Sequence, residues 1–232
     1  MTETVTIPGR FNGPKESGNG GYTSGVLASR FDGPAEVSLR SPVPLDEPLE
    51  LAEGGEALRL LHGETLIAEA RELPGFDLPV PAAVSPEEAR RAAENYRAPA
   101  DGIFSKCFVC GRAREDCFEV FAGQVEGRDL VATPWTPPAW TAAGGDEVQP
   151  EFVWAVLDCP TYFASHIEGE LTPSMLVRQR AQVVAPVIAG EEHVVIAWPI
   201  SIEGRKRLAG AAVLSAAGET LAIAEALLIE PR

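Results

Sequence analysis

The chain has 232 residues, 45% of them apolar and 23% charged, at a mean hydropathy near zero, so it can bury a core and is not built for wholesale disorder. Nineteen basic against 34 acidic residues leave a net charge of −15, which speaks against nucleic-acid or membrane-surface partners. No apolar run reaches the ~18 residues that span a bilayer, residues 1–8 lack the regions of a signal peptide, and four cysteines are too few for a disulfide scaffold, so a cytoplasmic protein is expected.

Twenty prolines and 22 glycines cut the chain into short segments, as in a sheet-rich protein with many turns. A first helix is expected from the glycine-rich run at 17–21 (Ser-Gly-Asn-Gly-Gly) through Tyr22 to about Ser29. Residues 36–40 alternate as a strand, with Val37 and Leu39 on one face. Two strands at 57–61 and 65–70 flank a hairpin turn at His62-Gly63. A second helix spans 85–96, where Ser85 and Glu88 form a capping box and Pro86 sits at the first helical position. A third starts near Pro150-Glu151, carries Phe152, Val153, Val156 and Leu157 at helical spacing, and should kink or end just after Asp158, because Pro160 disfavours helical geometry at Cys159. The continuously apolar, β-branched run 193–198 is the strongest strand.

An internal repeat orders these elements. Gly63-Glu64-Thr65-Leu66, followed by Ala68-Glu69-Ala70, recurs as Gly218-Glu219-Thr220-Leu221, followed by Ala224-Glu225-Ala226. Upstream, Val37-Ser38-Leu39 before Pro42-Val43 matches Ala181-Gln182-Val183 before Pro186-Val187, and Glu53-Gly54 parallels Glu203-Gly204. The separation grows from 144 (Pro42 to Pro186) to 155 (Gly63 to Gly218), which puts about eleven extra residues in the second copy's intervening hairpin. Each copy reads as helix, strand, turn, strand, turn, strand. The boundary falls in the Pro/Ala-rich stretch, giving halves at 1–73 and 102–232 and a linker at 74–101 whose helix bridges them.

That order resembles the hotdog fold, and the fused pair resembles the double-hotdog acyl-CoA thioesterases. The resemblance rests on Cys107-Phe108-Val109-Cys110-Gly111, the helix ending Val156-Leu157-Asp158, Pro186-Val187 with Gly190-Glu191, and Gly218-Glu219-Thr220-Leu221-Ala222. In the first copy Asn19-Gly20-Gly21 stands where related thioesterases often have His-Gly-Gly. The implied fold is α+β, a double hotdog with two antiparallel sheets each wrapped around a central helix. The implied activity is hydrolysis of an acyl thioester, most simply acyl-CoA, with no cofactor. A homodimer is also allowed, since hotdog sheets commonly pair edge to edge.

Residue by residue, the glycine-rich helix start offers backbone N–H groups and about half a positive charge to a thioester carbonyl, with Asn19 as an added donor. Asp158 closes an otherwise apolar helix, where an unpaired carboxylate is costly, and the resemblance implies a general base or nucleophile there. The copies are complementary, because Ala28 matches Asp158 and Gln149-Pro150-Glu151 matches Asn19-Gly20-Gly21. In homodimeric relatives the Gly-Gly loop of one subunit faces the carboxylate of the other, so the resemblance implies one competent site per chain, in which Asn19, Gly20 and Gly21 face Asp158, and one decayed site; Glu151 is the fallback carboxylate. Arg205, Lys206 and Arg207 form the basic cluster that could meet coenzyme A phosphates. Trp154, with Trp135 and Trp140, is expected to line the core or an acyl tunnel. Cys107 and Cys110 could be half of a zinc site completed by Cys117 and by His166 or His193, but with no second Cys-x-x-Cys the pair is assigned to packing and no metal is expected. A non-catalytic acyl or small-ligand binder on the same fold is the alternative, motivated by the missing His-Gly-Gly histidine.

Overall fold

The computed structural model describes residues 3–55, 57–99 and 101–231. In chain order the elements are β1 (Glu3–Thr6), α1 (Gly20–Ala28), β2 (Ala35–Leu39), β3 (Pro48–Gly54), β4 (Ala57–His62), β5 (Thr65–Glu72), α2 (Pro86–Ala93), β6 (Gly123–Gln124), β7 (Val131–Trp135), α3 (Pro150–Ala164), β8 (Met175–Val183), β9 (His193–Glu203), β10 (Lys206–Ser215) and β11 (Thr220–Ile229). All strands join one antiparallel ladder, in the order β1-β3-β4-β5-β2-β8-β11-β10-β9-β7-β6. From the middle outward the two sides mirror one another: β2 answers β8, β5 answers β11, β4 answers β10, and β3 answers β9. The halves' two sheets are therefore fused through a single junction, β2 against β8.

The repeat fixes where that junction falls. Ala35 pairs with Ala181, Glu36 with Arg180, Val37 with Gln179 and Ser38 with Arg178. At the 144-residue offset read from the sequence, the counterpart of Glu36 is Arg180, its own cross-strand partner. A pseudo-two-fold axis thus passes through this one pair. The loops obey the same symmetry: the Asn19 N–H donates to Phe11 C=O and the Gln149 N–H to Thr141 C=O, while Gly18 N–H reaches Val43 C=O and Val148 N–H reaches Val187 C=O. The extra residues of the second copy lie largely in the expected hairpin, since β9 and β10 hold 11 and 10 residues against 7 and 6 in β3 and β4.

The junction is held by charge as well as by backbone bonds. Arg180 Nε donates to Glu36 at 2.6 Å, Arg71 does so at 2.6 Å, and Arg178 lies 3.8 Å away. Burial pushes the Glu36 carboxyl up, but the Arg180 hydrogen bond and the three guanidinium charges outweigh it and hold the group below its ordinary value near 4.5. A depressed native pKa stabilises the fold above the unfolded value and loses that contribution as pH falls through the native one. We expect Glu36→Gln to lower the urea midpoint at neutral pH and the gap to the parent to close as pH drops below about 4.5. An equal gap at both pH values would remove this cluster from the junction's energetics.

α1 and α3 pack against each other on one face of the ladder, over the main core. α3 corrects one half of the expectation at Pro160, that the helix ends just after Asp158: it continues to Ala164, with Cys159 helical and Pro160 inside it. Pro160 forfeits one backbone bond, at a cost of ~3 kcal/mol in an ordinary helix interior. Val156, Leu157, Phe163 and Ala164, buried on both sides of it, outweigh that loss. α2 also departs from its expected place. It carries the capping box at Ser85 and Glu88, but it covers the opposite face of β7 and β9, where Ala89 and Ala92 pack with Val194, Ile196 and Trp198. With α3 on one face and α2 on the other, β9 is buried on both sides, which is why it reads as a continuous apolar run. Among the described residues no helix is long and apolar enough to cross a membrane.

Candidate active site

The site forms where the start of α1 meets the middle of α3. Asn19 is the N-cap of α1, its Oδ1 accepting from Tyr22 N–H at 2.8 Å. The helices cross so closely that a Cβ at Gly21 would lie 2.6 Å from Asp158 Cβ and 2.7 Å from Trp154 C=O. One at Gly25 would lie 2.4 Å from Glu151 Cα. Glycine at both positions lets the two backbones touch. The contact carries a hydrogen bond: the Gly21 N–H donates to Asp158 Oδ2 at 3.0 Å. Two residues separated by 137 positions, both singled out in the sequence, are thus brought together. The Gly21 amide is spent on the carboxylate, while the Gly20 amide, at the first helical position, donates to no protein group among the described residues.

Asp158 is only 8% exposed. Burial pushes its carboxyl up to about 7, against the pull of the Gly21 N–H and with a further push from the negative charge of Cys107. It borders a cavity of about 410 Å3 between the halves. Asn19 and Gly20 stand on the same wall. Leu39, Tyr162, Phe163, Leu176 and Val177 supply apolar surface. Ser174, from the loop before β8, also lines it, and its buried hydroxyl has no hydrogen-bond partner among the described residues. No sequence signal marks Ser174.

The same cavity exposes Cys107, Cys110 and Cys159, whose sulfurs all lie within 4.8 Å of one another. Cys107 Sγ is 3.7 Å from Cys159 Sγ, and the Asn19 amide nitrogen is 3.7 and 3.8 Å from these two sulfurs. Hydrogen bonds from the Cys110 and Cys159 thiols, with the backbone N–H groups of Cys110 and Val109, hold Cys107 well below the ordinary thiol range despite its burial. Cys117, offered by the sequence as the third member, stays outside the cluster. His166 bonds instead to Tyr162 C=O and Thr172, and His193 to Glu191 C=O.

Other expected site residues fall elsewhere. Trp154 is buried in the α1–α3 packing and does not line the cavity; its carbonyl accepts from Gln179 Nε2 at 3.1 Å. Glu151 lies at the first turn of α3, half-buried and away from the cavity, where burial raises its carboxyl. Arg207 is tied to the Glu230 carboxylate and to Ser165 C=O, and Arg205 to Glu230 C=O, while Lys206 is exposed at the start of β10. None of the three borders the cavity. The turn that carries them sits at the end of the β9–β10 pair, beside Ile229 and Met175 of β11 and β8, a placement that local composition does not reveal. Arg40 lines the cavity wall, and Lys15 and Lys106 line an adjoining depression with Glu16 and Asp101.

Comparison with solved structures matches this fold over the whole chain. The tesB protein of Mycobacterium avium subs paratuberculosis superposes with a TM-score of 0.60 at 14% identity, over 99% of this chain and 92% of that one. A conserved protein of unknown function with hot dog fold from Alicyclobacillus acidocaldarius gives 0.62 at 12% identity, over 99% and 92%. The chain has the double hotdog fold. The acyl-CoA thioesterase II TesB2 of Mycobacterium marinum is similar across 100% of this chain and 96% of its own, with a TM-score of 0.54 at 14% identity. No family model matches the sequence, and no curated protein does. At these identities the likeness establishes the double hotdog alone.

Proposed function

We propose that this double hotdog hydrolyses acyl thioesters, with acyl-CoA as the substrate class. The observation that carries the reading is the buried Asp158 carboxylate, held by the Gly21 N–H on the wall of a cavity that also presents the Gly20 amide. The acyl chain lies against the apolar wall, and its carbonyl oxygen faces the Gly20 N–H at the positive end of α1. Asp158 takes a proton from water as the water oxygen bonds to the carbonyl carbon. The C–S bond then breaks, and the departing thiolate recovers the proton from Asp158. Ser174 supplies a further hydrogen bond to the bound acyl group. The test is release of free thiol from acyl-CoAs of several chain lengths. Turnover supports the reading; ligand-dependent stabilisation with no turnover at any length would favour the binding protein instead.

The carrier is recognised by different cations from those the sequence singled out. Lys15 and Lys106 flank the depression that shares Pro14 and Met175 with the cavity, and their ammonium groups meet the phosphates of coenzyme A. The double variant Lys15→Ala/Lys106→Ala is expected to raise KM for acyl-CoA roughly tenfold with kcat nearly unchanged, about 1.4 kcal/mol of ground-state binding. The same variant should handle the phosphate-poor acyl-pantetheine thioester like the parent. Equal losses on both substrates would remove these lysines from carrier recognition.

A further inference from the structure

We infer that Cys107, Cys110 and Cys159 form a three-thiolate site for a soft divalent cation of the zinc type, with its fourth position open to the cavity. The spacing fits. A tetrahedral site with Zn–S bonds of about 2.3 Å has sulfurs about 3.8 Å apart along its edges, and Cys107 and Cys159 stand 3.7 Å apart. Cys110 completes a triangle whose sides all lie within 4.8 Å. No histidine or carboxylate joins the three within that distance among the described residues. The fourth donor therefore comes from the cavity, as water or a ligand atom, in the manner of open rather than closed zinc sites.

The surroundings supply hydrogen-bond donors to two of the three sulfurs. The loop at 107–111 folds back so that the Gly111 N–H bonds to Cys107 C=O at 2.8 Å and the Val109 N–H points at Cys107 Sγ at 3.4 Å. A Cβ at Gly111 would meet Cys107 N and Ser105 C=O at 2.5 and 2.6 Å, so only glycine closes this turn. From the other side the Asn19 side-chain amide approaches both Cys107 and Cys159 sulfurs. Donors converging on sulfur offset the charge of a thiolate cluster, and apolar packing of three thiols would not call for them. An all-sulfur donor set selects a soft ion over magnesium or calcium.

The inference stands apart from the hydrolytic reading, because its test reads metal and not turnover. The reduced protein is titrated with cobalt(II). We expect a sulfur-to-cobalt charge-transfer band and the visible bands of a tetrahedral ion, saturating at one cobalt per chain and bleached by added zinc. Cys107→Ser and Cys159→Ser should each lose the charge-transfer intensity, and Cys117→Ser should keep it. Should the serine variants fail to fold, the parent's own titration still decides. Absence of the sulfur-to-cobalt band in the reduced parent, or an unchanged spectrum in folded Cys107→Ser, overturns the site. A Cys107–Cys159 disulfide in the isolated protein, with no cobalt bound after reduction, would likewise overturn it and leave a redox pair.

Discussion

Replacing Asp158 by Asn is expected to lower thiol release from acyl-CoA by about 10²–10⁴-fold, the usual weight of a positioned general base. The loss should appear in kcat, with KM little changed, because the carboxylate acts on water and not on the bound acyl group. Asn is the informative substitution. It keeps an oxygen that can accept from the Gly21 N–H, so the α1–α3 contact at 3.0 Å survives and the fold is spared. Burial of a neutral amide is also easier than burial of a carboxylate, so the variant should be at least as stable as the parent. Wild-type rates in a well-folded Asp158→Asn protein would remove the carboxylate from the chemistry.

The second large effect is on stability. In an exposed helix, glycine to alanine is favourable by about 1 kcal/mol. At Gly25 the sign reverses, because the new methyl meets the backbone of α3 at 2.4 Å, and Trp154 Cβ at 2.9 Å, with no flexible side-chain end to give way. Overpacking of this kind costs about 1–3 kcal/mol, a fall in Tm of roughly 2–4 °C for each kcal/mol in a chain of this size. Gly21→Ala should be as destabilising and should also reduce turnover, since its methyl would strike Asp158 Cβ at 2.6 Å and displace the carboxylate. Gly75, around which a methyl meets nothing within 4 Å, is the control, and Gly75→Ala should leave both properties unchanged. Thermal melts of the three variants settle the point; a Gly25→Ala protein that melts with the parent would mean that the helices can separate freely at this crossing.

Much of this architecture was legible because it is written twice. The 144-residue offset aligned Glu36 with Arg180 before any strand pairing was known, and they are partners at the junction. The complementarity of Asn19-Gly20-Gly21 with Asp158 was legible for the same reason. What stayed hidden depends on packing. β10 carries three alanines and a glycine, weak strand formers, at its centre, and it holds its place because Ala209, Ala211, Ala212 and Val213 are fully buried. The continuation of α3 past Pro160 is likewise decided by the core on either side of it. Cys159 was invisible as a partner of Cys107 because 52 positions separate them, and nearness along the chain favoured Cys117. The Arg205–Arg207 cluster was legible as charge but not as position.

The most direct test is a crystal structure with a thioether analogue of acyl-CoA, in which the carbonyl is kept and the scissile bond is not. The bound carbonyl oxygen should lie within hydrogen-bond reach of the Gly20 N–H, its carbon open to a water on Asp158, and the acyl chain against Phe163 and Leu176. An analogue seated outside this cavity, or one whose carbonyl is turned away from both α1 and Asp158, would contradict the proposed chemistry.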